Sequence, residues 1–228
     1  AVPADLVRMC GVVGNVTDNA VLAINRANAV TLAGVIAGNG ALQQNGTGTT
    51  VLTAINGYTG ATTVNGGTLQ VDGSIASSGL TTVNSGAALA GIGTVGSTMI
   101  AGGATFMPGS GTPGSSMTVS GSLAFQSGAQ YLVQINPATA SFATVTGAAT
   151  PGGATVNAIF ANGSYIAKKY TILTATGGVN GTFGTLVNTN LPANFSSSLS
   201  YDANNAFLNL ALSFIPPSFT PPPNSGLN

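Results

Sequence analysis

Thr62-Thr63-Val64-Asn65-Gly66-Gly67-Thr68-Leu69 returns as Thr81-Thr82-Val83-Asn84-Ser85-Gly86-Ala87-Ala88-Leu89. Looser copies follow as Thr98-Met99-Ile100-Ala101-Gly102-Gly103-Ala104-Thr105-Phe106 and Thr118-Val119-Ser120-Gly121-Ser122-Leu123. Val64, Val83, Ile100 and Val119 therefore sit at spacings of 19, 17 and 19. A unit that short holds two or three brief strands and has no second layer of its own to bury an apolar face. Stacked units share one continuous core and pair their backbones above and below, which is the logic of a solenoid. The expected fold is all-β, a right-handed parallel β-helix whose hand follows the general crossover preference. In this reading Val64, Val83, Ile100 and Val119 line one interior column.

Composition narrows the rest. The chain has 228 residues, 33 of them glycine, with four basic residues, four acidic ones and no histidine. All four acids are aspartates, and between Arg26 and Lys168 the only charge is Asp72. Such a surface gives nucleic acid or an anionic membrane no electrostatic handle. Disorder is rejected for residues 20–214, because Val, Ile, Leu and Thr alternate there and net charge is zero. Glycine every few residues argues against helix, and no apolar run reaches the length of a membrane-spanning helix. The start, Ala1-Val2-Pro3-Ala4-Asp5, has no basic region followed by an apolar one, so no intact signal peptide is read there. Cys10 is the single cysteine, which excludes an internal disulfide.

In chain order, residues 1–19 are weakly patterned and read as a fragment edge. Alternation begins at Ala20, with runs at Val21–Ile24, Val30–Ala33 and Val35–Ile36, each ending at Asn or Gly. Gly38-Asn39-Gly40 and Gln43 to Gly48 read as turns between rungs, with Thr49–Thr53 as the next strand. The repeat region spans 20–120. At its corner, Gly66-Gly67 supplies the positive φ that other residues resist, leaving Val64 and Leu69 on either side, both pointing inward. Asn65 and Asn84 occupy equivalent places in successive rungs, either as a stacked amide ladder or as plain polar turn residues.

The longer phrase Asn56-Gly57-Tyr58-Thr59-Gly60 through Val64-Asn65-Gly66-Gly67-Thr68-Leu69 resembles the passenger-associated repeat of autotransporters of Gram-negative bacteria. Gly34 to Leu42, through Val51-Leu52, resembles its lead-in rung. Residues carried as the repeat and fold motif are Tyr58, Thr59, Gly60, Val64, Gly66, Gly67, Leu69, Val83, Gly86, Leu89, Ile100, Gly103, Phe106 and Val119. From Phe106 the texture changes: thirteen of the fourteen aromatics lie at or beyond it. Strands are expected at Leu123–Phe125, Tyr131–Ile135, Ala143–Thr146, Thr155–Phe160, Tyr170–Ala175, Gly184–Val187, Ser197–Tyr201 and Ala206–Phe214, with hairpins replacing rungs. Residues 121–214 resemble the autochaperone segment that closes such passengers, an aromatic-rich cap containing β-hairpins. Residues 215–228 contain Pro216-Pro217-Ser218-Phe219-Thr220-Pro221-Pro222-Pro223, a stiff extended linker. The resemblance implies an outer-membrane barrel beyond it as the natural partner, and secretion through the outer membrane to the cell surface.

Without histidine, Ser-His-Asp and Cys-His sites are excluded. Asp5, Asp18, Asp72 and Asp202 are too far apart in a solenoid for a glycosidase pair, and no zinc ligand set or calcium nonapeptide is present. Gly38 to Gln43 fails the dinucleotide fingerprint. No enzyme activity, cofactor or metal is expected. Two functional readings remain: a structural and secretion module whose C-terminal segment nucleates folding, or a surface adhesin that binds host glycans or copies of itself. Lys168-Lys169 beside Tyr165 and Tyr170 is either a small docking patch or a solvated hairpin tip.

Overall fold

A computed structural model describes residues 14–213. Cys10, Asp5 and the proline-rich Pro216–Pro223 lie outside the described residues. The strands fall into three long sheets, one per side of a coil, plus a short pair in which Val16–Thr17 lies parallel to Ile36–Ala37. The first sheet stacks Val21–Ile24, Ala41–Gln44, Thr62–Val64, Thr81–Val83, Thr98–Ile100, Leu123–Phe125 and Ala149–Thr150. The second stacks Val30–Leu32, Thr49–Leu52, Thr68–Val71, Ala88–Gly91, Thr105–Pro108, Gln130–Ile135, Thr155–Phe160 and Thr185–Thr189. In the third, Ser74–Ile75, Thr94–Val95, Ser116–Val119, Phe142–Val145 and Lys168–Ala175 are followed by Asn205–Leu212 and then Phe195–Tyr201 at the edge. The chain is a parallel β-helix, visiting each sheet once per turn.

The core is a set of columns running down the coil. Ile24, Gln44, Val64, Val83, Ile100 and Phe125 are successive partners on the first sheet. Leu69, Leu89, Phe106 and Tyr131 follow one another on the second. The third carries Ile75, Val95, Val119, Val145 and Ala175. Period-2 alternation does the sorting, because each strand turns every second side chain inward.

The structure corrects the sequence reading in four places. Val119 is buried, but it belongs to the third-sheet column beside Val95 and Val145. The residue that continues Val64, Val83 and Ile100 is Phe125. An insertion through Gly109–Gly114 lengthens that rung, so the next first-sheet strand arrives 25 residues after Ile100. Gln43 and Gln44 are strand, not turn. Of Gly66-Gly67, only Gly67 has positive φ, at 57°. Finally, rungs are not replaced by hairpins after residue 121. Parallel stacking continues through Thr185–Thr189, and antiparallel strand pairing is confined to Asn205–Leu212 against Lys168–Ala175 and Phe195–Tyr201.

Candidate functional site: the repeat corner and the C-terminal block

Two sets of residues stand out, one in the repeat rungs and one from Phe106 onward. In the repeat, Tyr58 is fully buried and its hydroxyl lies 2.7 Å from Thr62 Oγ1. Thr62 Oγ1 is 2.8 Å from Ser78 Oγ, which donates to the Gly60 carbonyl. Thr59 and Gly60 donate their backbone N–H groups to the Gly38 and Gly40 carbonyls one rung back. Tyr-Thr-Gly is therefore a polar clasp: the tyrosine fills the core and its hydroxyl is satisfied by the rung that follows. Burial pushes the Tyr58 hydroxyl up to about 12, against the opposing pull of its Thr62 and Ser78 hydrogen bonds. Gly60 is obligatory for packing, since a Cβ there would lie inside contact distance of the Gly40 carbonyl oxygen.

The corner beyond Val64 repeats its geometry. Gly67, Gly86 and Gly103 take φ of 57°, 80° and 79° at successive rungs, letting the backbone turn between the first and second sheets. Val64, Val83 and Ile100 precede this corner, Leu69, Leu89 and Phe106 follow it, and all six are fully buried. Outside it runs an amide ladder: Asn84 Nδ2 donates to Asn65 Oδ1, and Asn65 Nδ2 to Asn45 Oδ1, each at 2.7 Å. Of the two readings of Asn65 and Asn84, the ladder is the one observed, and Asn45 extends it.

Three buried polar groups escaped the sequence reading. Gln44 is fully buried; its Nε2 donates to the Gly46 and Gly48 carbonyls and its Oε1 accepts from Thr50 Oγ1 at 2.7 Å. Asn56 accepts from the Ile36 N–H and donates to the Ala54 and Ser74 carbonyls, tying three rungs together. Ser78 closes the tyrosine clasp. Their only signal was position, since Gln44 aligns with Val64 once the rungs are stacked.

At the other end, aromatic rings interlock. Phe106 and Tyr131 stack at 5.9 Å, Tyr131 and Phe183 at 5.3 Å, and Phe125 packs against all three. Tyr131 donates to the Ile172 carbonyl, and burial pushes its hydroxyl well above the ordinary tyrosine range. Tyr201 accepts from the Phe183 N–H at 3.0 Å, joining the edge strand to the ring stack. The last hairpin turns on Asp202, which accepts from the Asn204 and Asn205 backbones and the Asn205 amide. Those hydrogen bonds, the Asn204 backbone first, hold its carboxyl below the usual carboxylate range.

Among the described residues no group of three or more His, Cys, Asp or Glu could hold a metal ion, and no helix is long and apolar enough to cross a membrane.

Most of this clasp and corner lies in a stretch that has a counterpart among known passenger repeats. Residues 42–71 match the family described as "Passenger-associated-transport-repeat". The chain is 46% identical over 82 residues to "Adhesin BmaC autotransporter" of Brucella suis biovar 1 (strain 1330), covering 35% of this chain and 2% of that protein. It is 35% identical over 158 residues to "Extracellular serine protease" of Serratia marcescens, covering 65% of this chain and 15% of that protein. The chain thus spans a small part of each relative. These similarities place it at the cell surface or in the extracellular space of a Gram-negative bacterium.

Proposed function

We propose that the C-terminal block, residues 121–214, is the folding nucleus of this passenger, and that the repeat coils are added onto it one rung at a time. The observation that carries this reading is the double closure of that end. Phe125, Tyr131 and Phe183 of the block interlock inside the coil with Phe106 of the last repeat rung, and an antiparallel layer finishes the third sheet. An unfinished parallel coil exposes a row of unpaired backbone groups, which invites aggregation, and solenoids depend on atypical terminal units to prevent it. Strands here run to six, seven and eight residues, against two to four in the repeat region. In the whole protein the partner of this block is an outer-membrane barrel. Limited proteolysis tests the nucleus: a resistant fragment of roughly residues 121–214 should survive, and even digestion from both ends would contradict the proposal.

A second reading, a self-associating adhesin, is favoured by the outer face of the second sheet. Thr49, Thr68, Ala88, Thr105, Gln130, Thr155 and Thr185 form one unbroken outward column, and Val51, Gln70 and Met107 stand in the next, with Ala90 buried between them. No charge lies within either column, and Asp72, which accepts from Gln70, borders the second. Sedimentation velocity should detect concentration-dependent dimers; a strict monomer removes this reading. Host-glycan binding through the repeat has no such support, because both of its aromatics, Tyr58 and Phe106, are fully buried.

A further inference from the structure

We propose that a pocket on the third sheet, between the Ala138–Phe142 segment and the strand Lys168–Ala175, binds the terminal residue of an acidic carbohydrate: one sugar ring bearing a carboxylate. This is separate from the folding role proposed above and does not depend on it.

The argument begins with charge. Three cationic side chains are found among the described residues, Arg26, Lys168 and Lys169, and two of them line this pocket. Neither lysine is in an ion pair among the described residues. Lys168 Nζ donates to the Ala138 carbonyl and stands 5.3 Å from the Tyr170 ring. Lys169 Nζ rests 3.5 Å from the centre of the Phe207 ring. Asp202, whose carboxyl feels the Lys169 charge, has its oxygens occupied by Asn204 and Asn205. The Lys168 ammonium thus sits at the pocket wall beside Tyr170, and the Lys169 ammonium rests next to the pocket on Phe207, neither with a counter-anion in contact. In a chain of zero net charge, that is a local positive field, offset only in part by Asp202.

The remaining lining sets the class of ligand. The cavity measures about 260 Å³, which is below the range of drug-sized ligands and suits one ring. Phe142, half-buried, offers an aromatic face on which the C–H face of a sugar can pack. Thr171 is exposed and its hydroxyl has no partner, and Thr139 stands on the opposite wall. Ammonium, hydroxyl and ring together match carboxylate, hydroxyls and a ring C–H face. A bare anion would use only the first of these.

Titration of the full 228-residue chain with sodium glucuronate, glucose and inorganic phosphate, followed by NMR chemical shifts, tests the proposal. Glucuronate should shift resonances of Phe142 and Lys168–Thr171 with a dissociation constant on the order of 1 mM. Glucose and phosphate should each bind at least about tenfold more weakly, and the glucuronate affinity should fall as salt rises. Lys168→Gln with Lys169→Gln should lose about tenfold or more, and Thr171→Val a smaller factor, with the spectrum elsewhere unchanged. Equal binding of phosphate, equal binding of glucose, no response to glucuronate, or undiminished binding by a folded double lysine variant would each overturn it.

Discussion

The rungs carrying the repeated phrase and the rungs beyond Phe106 follow the same coil, yet they fix their register by different means. In the repeat, most inward positions are Leu, Val, Ile and Thr, which differ little in size. Register there is held by polar groups that fit only one alignment: the Tyr58–Thr62–Ser78 clasp, the Gln44–Thr50 pair, the Asn56 bridge and the asparagine ladder. Beyond Phe106, interlocked rings and long strands do that work, and a slip by one residue would turn every ring to solvent. A buried hydrogen-bonded network specifies alignment while adding only modest net stability, whereas large buried rings add both. The two regions should therefore be equally well ordered and unequally stable.

The sharpest way to break this comparison is to remove its central ring. Tyr131→Ala takes away the side chain stacked between Phe106 and Phe183, and chemical denaturation should record a loss of about 3–5 kcal/mol. A loss below about 1 kcal/mol would mean that the rings are not what separates the two ends.

Next in size are the corner glycines, where identical chemistry meets different surroundings. At Gly67 a Cβ would drive into backbone carbonyls of Gly46 and Gly48, while at Gly86 nothing lies within 4 Å. Both have positive φ. Gly67→Ala should cost more than about 2 kcal/mol and Gly86→Ala about 1 kcal/mol, read from denaturation midpoints. Equal effects would show that the corner relaxes freely.

An effect confined to alkaline pH isolates the repeat through Tyr58. Tyr58 is held neutral by burial, with its hydroxyl raised to about 12. The folded state therefore keeps a proton that the unfolded chain releases near pH 10. Stability from this group is complete below pH 10 and declines as pH rises toward 12, by an amount on the order of 2 kcal/mol. Tyr58→Phe should flatten that part of the alkaline profile; an unchanged slope would refute the clasp.

Much of this was legible in the sequence because a solenoid writes its period into the chain. The Val64–Val83–Ile100 column, the corner at Gly67 and nearly every strand beyond Leu123 follow from alternation and glycine placement. Val119 was misplaced for a physical reason: a rung is defined by backbone pairing, and Pro108 to Gly114 inserts length without disturbing the local phrase. That Pro/Gly-rich run was the available warning. Gln44 was unreadable in isolation, since an amide becomes a core residue only when Gly46, Gly48 and Thr50 curl back to satisfy it. The extent of parallel stacking past residue 121 was likewise hidden, because long alternating strands look the same whether a neighbour runs parallel or antiparallel.

The unequal stability of one continuous coil is tested most directly by native-state hydrogen exchange followed along the whole chain. Protection should rise from the first rungs toward Gln130–Ile135, Thr155–Phe160 and Lys168–Ala175, with the repeat strands opening at lower free energy than the aromatic block. Uniform protection, or a maximum within Thr62–Ile100, would contradict the account.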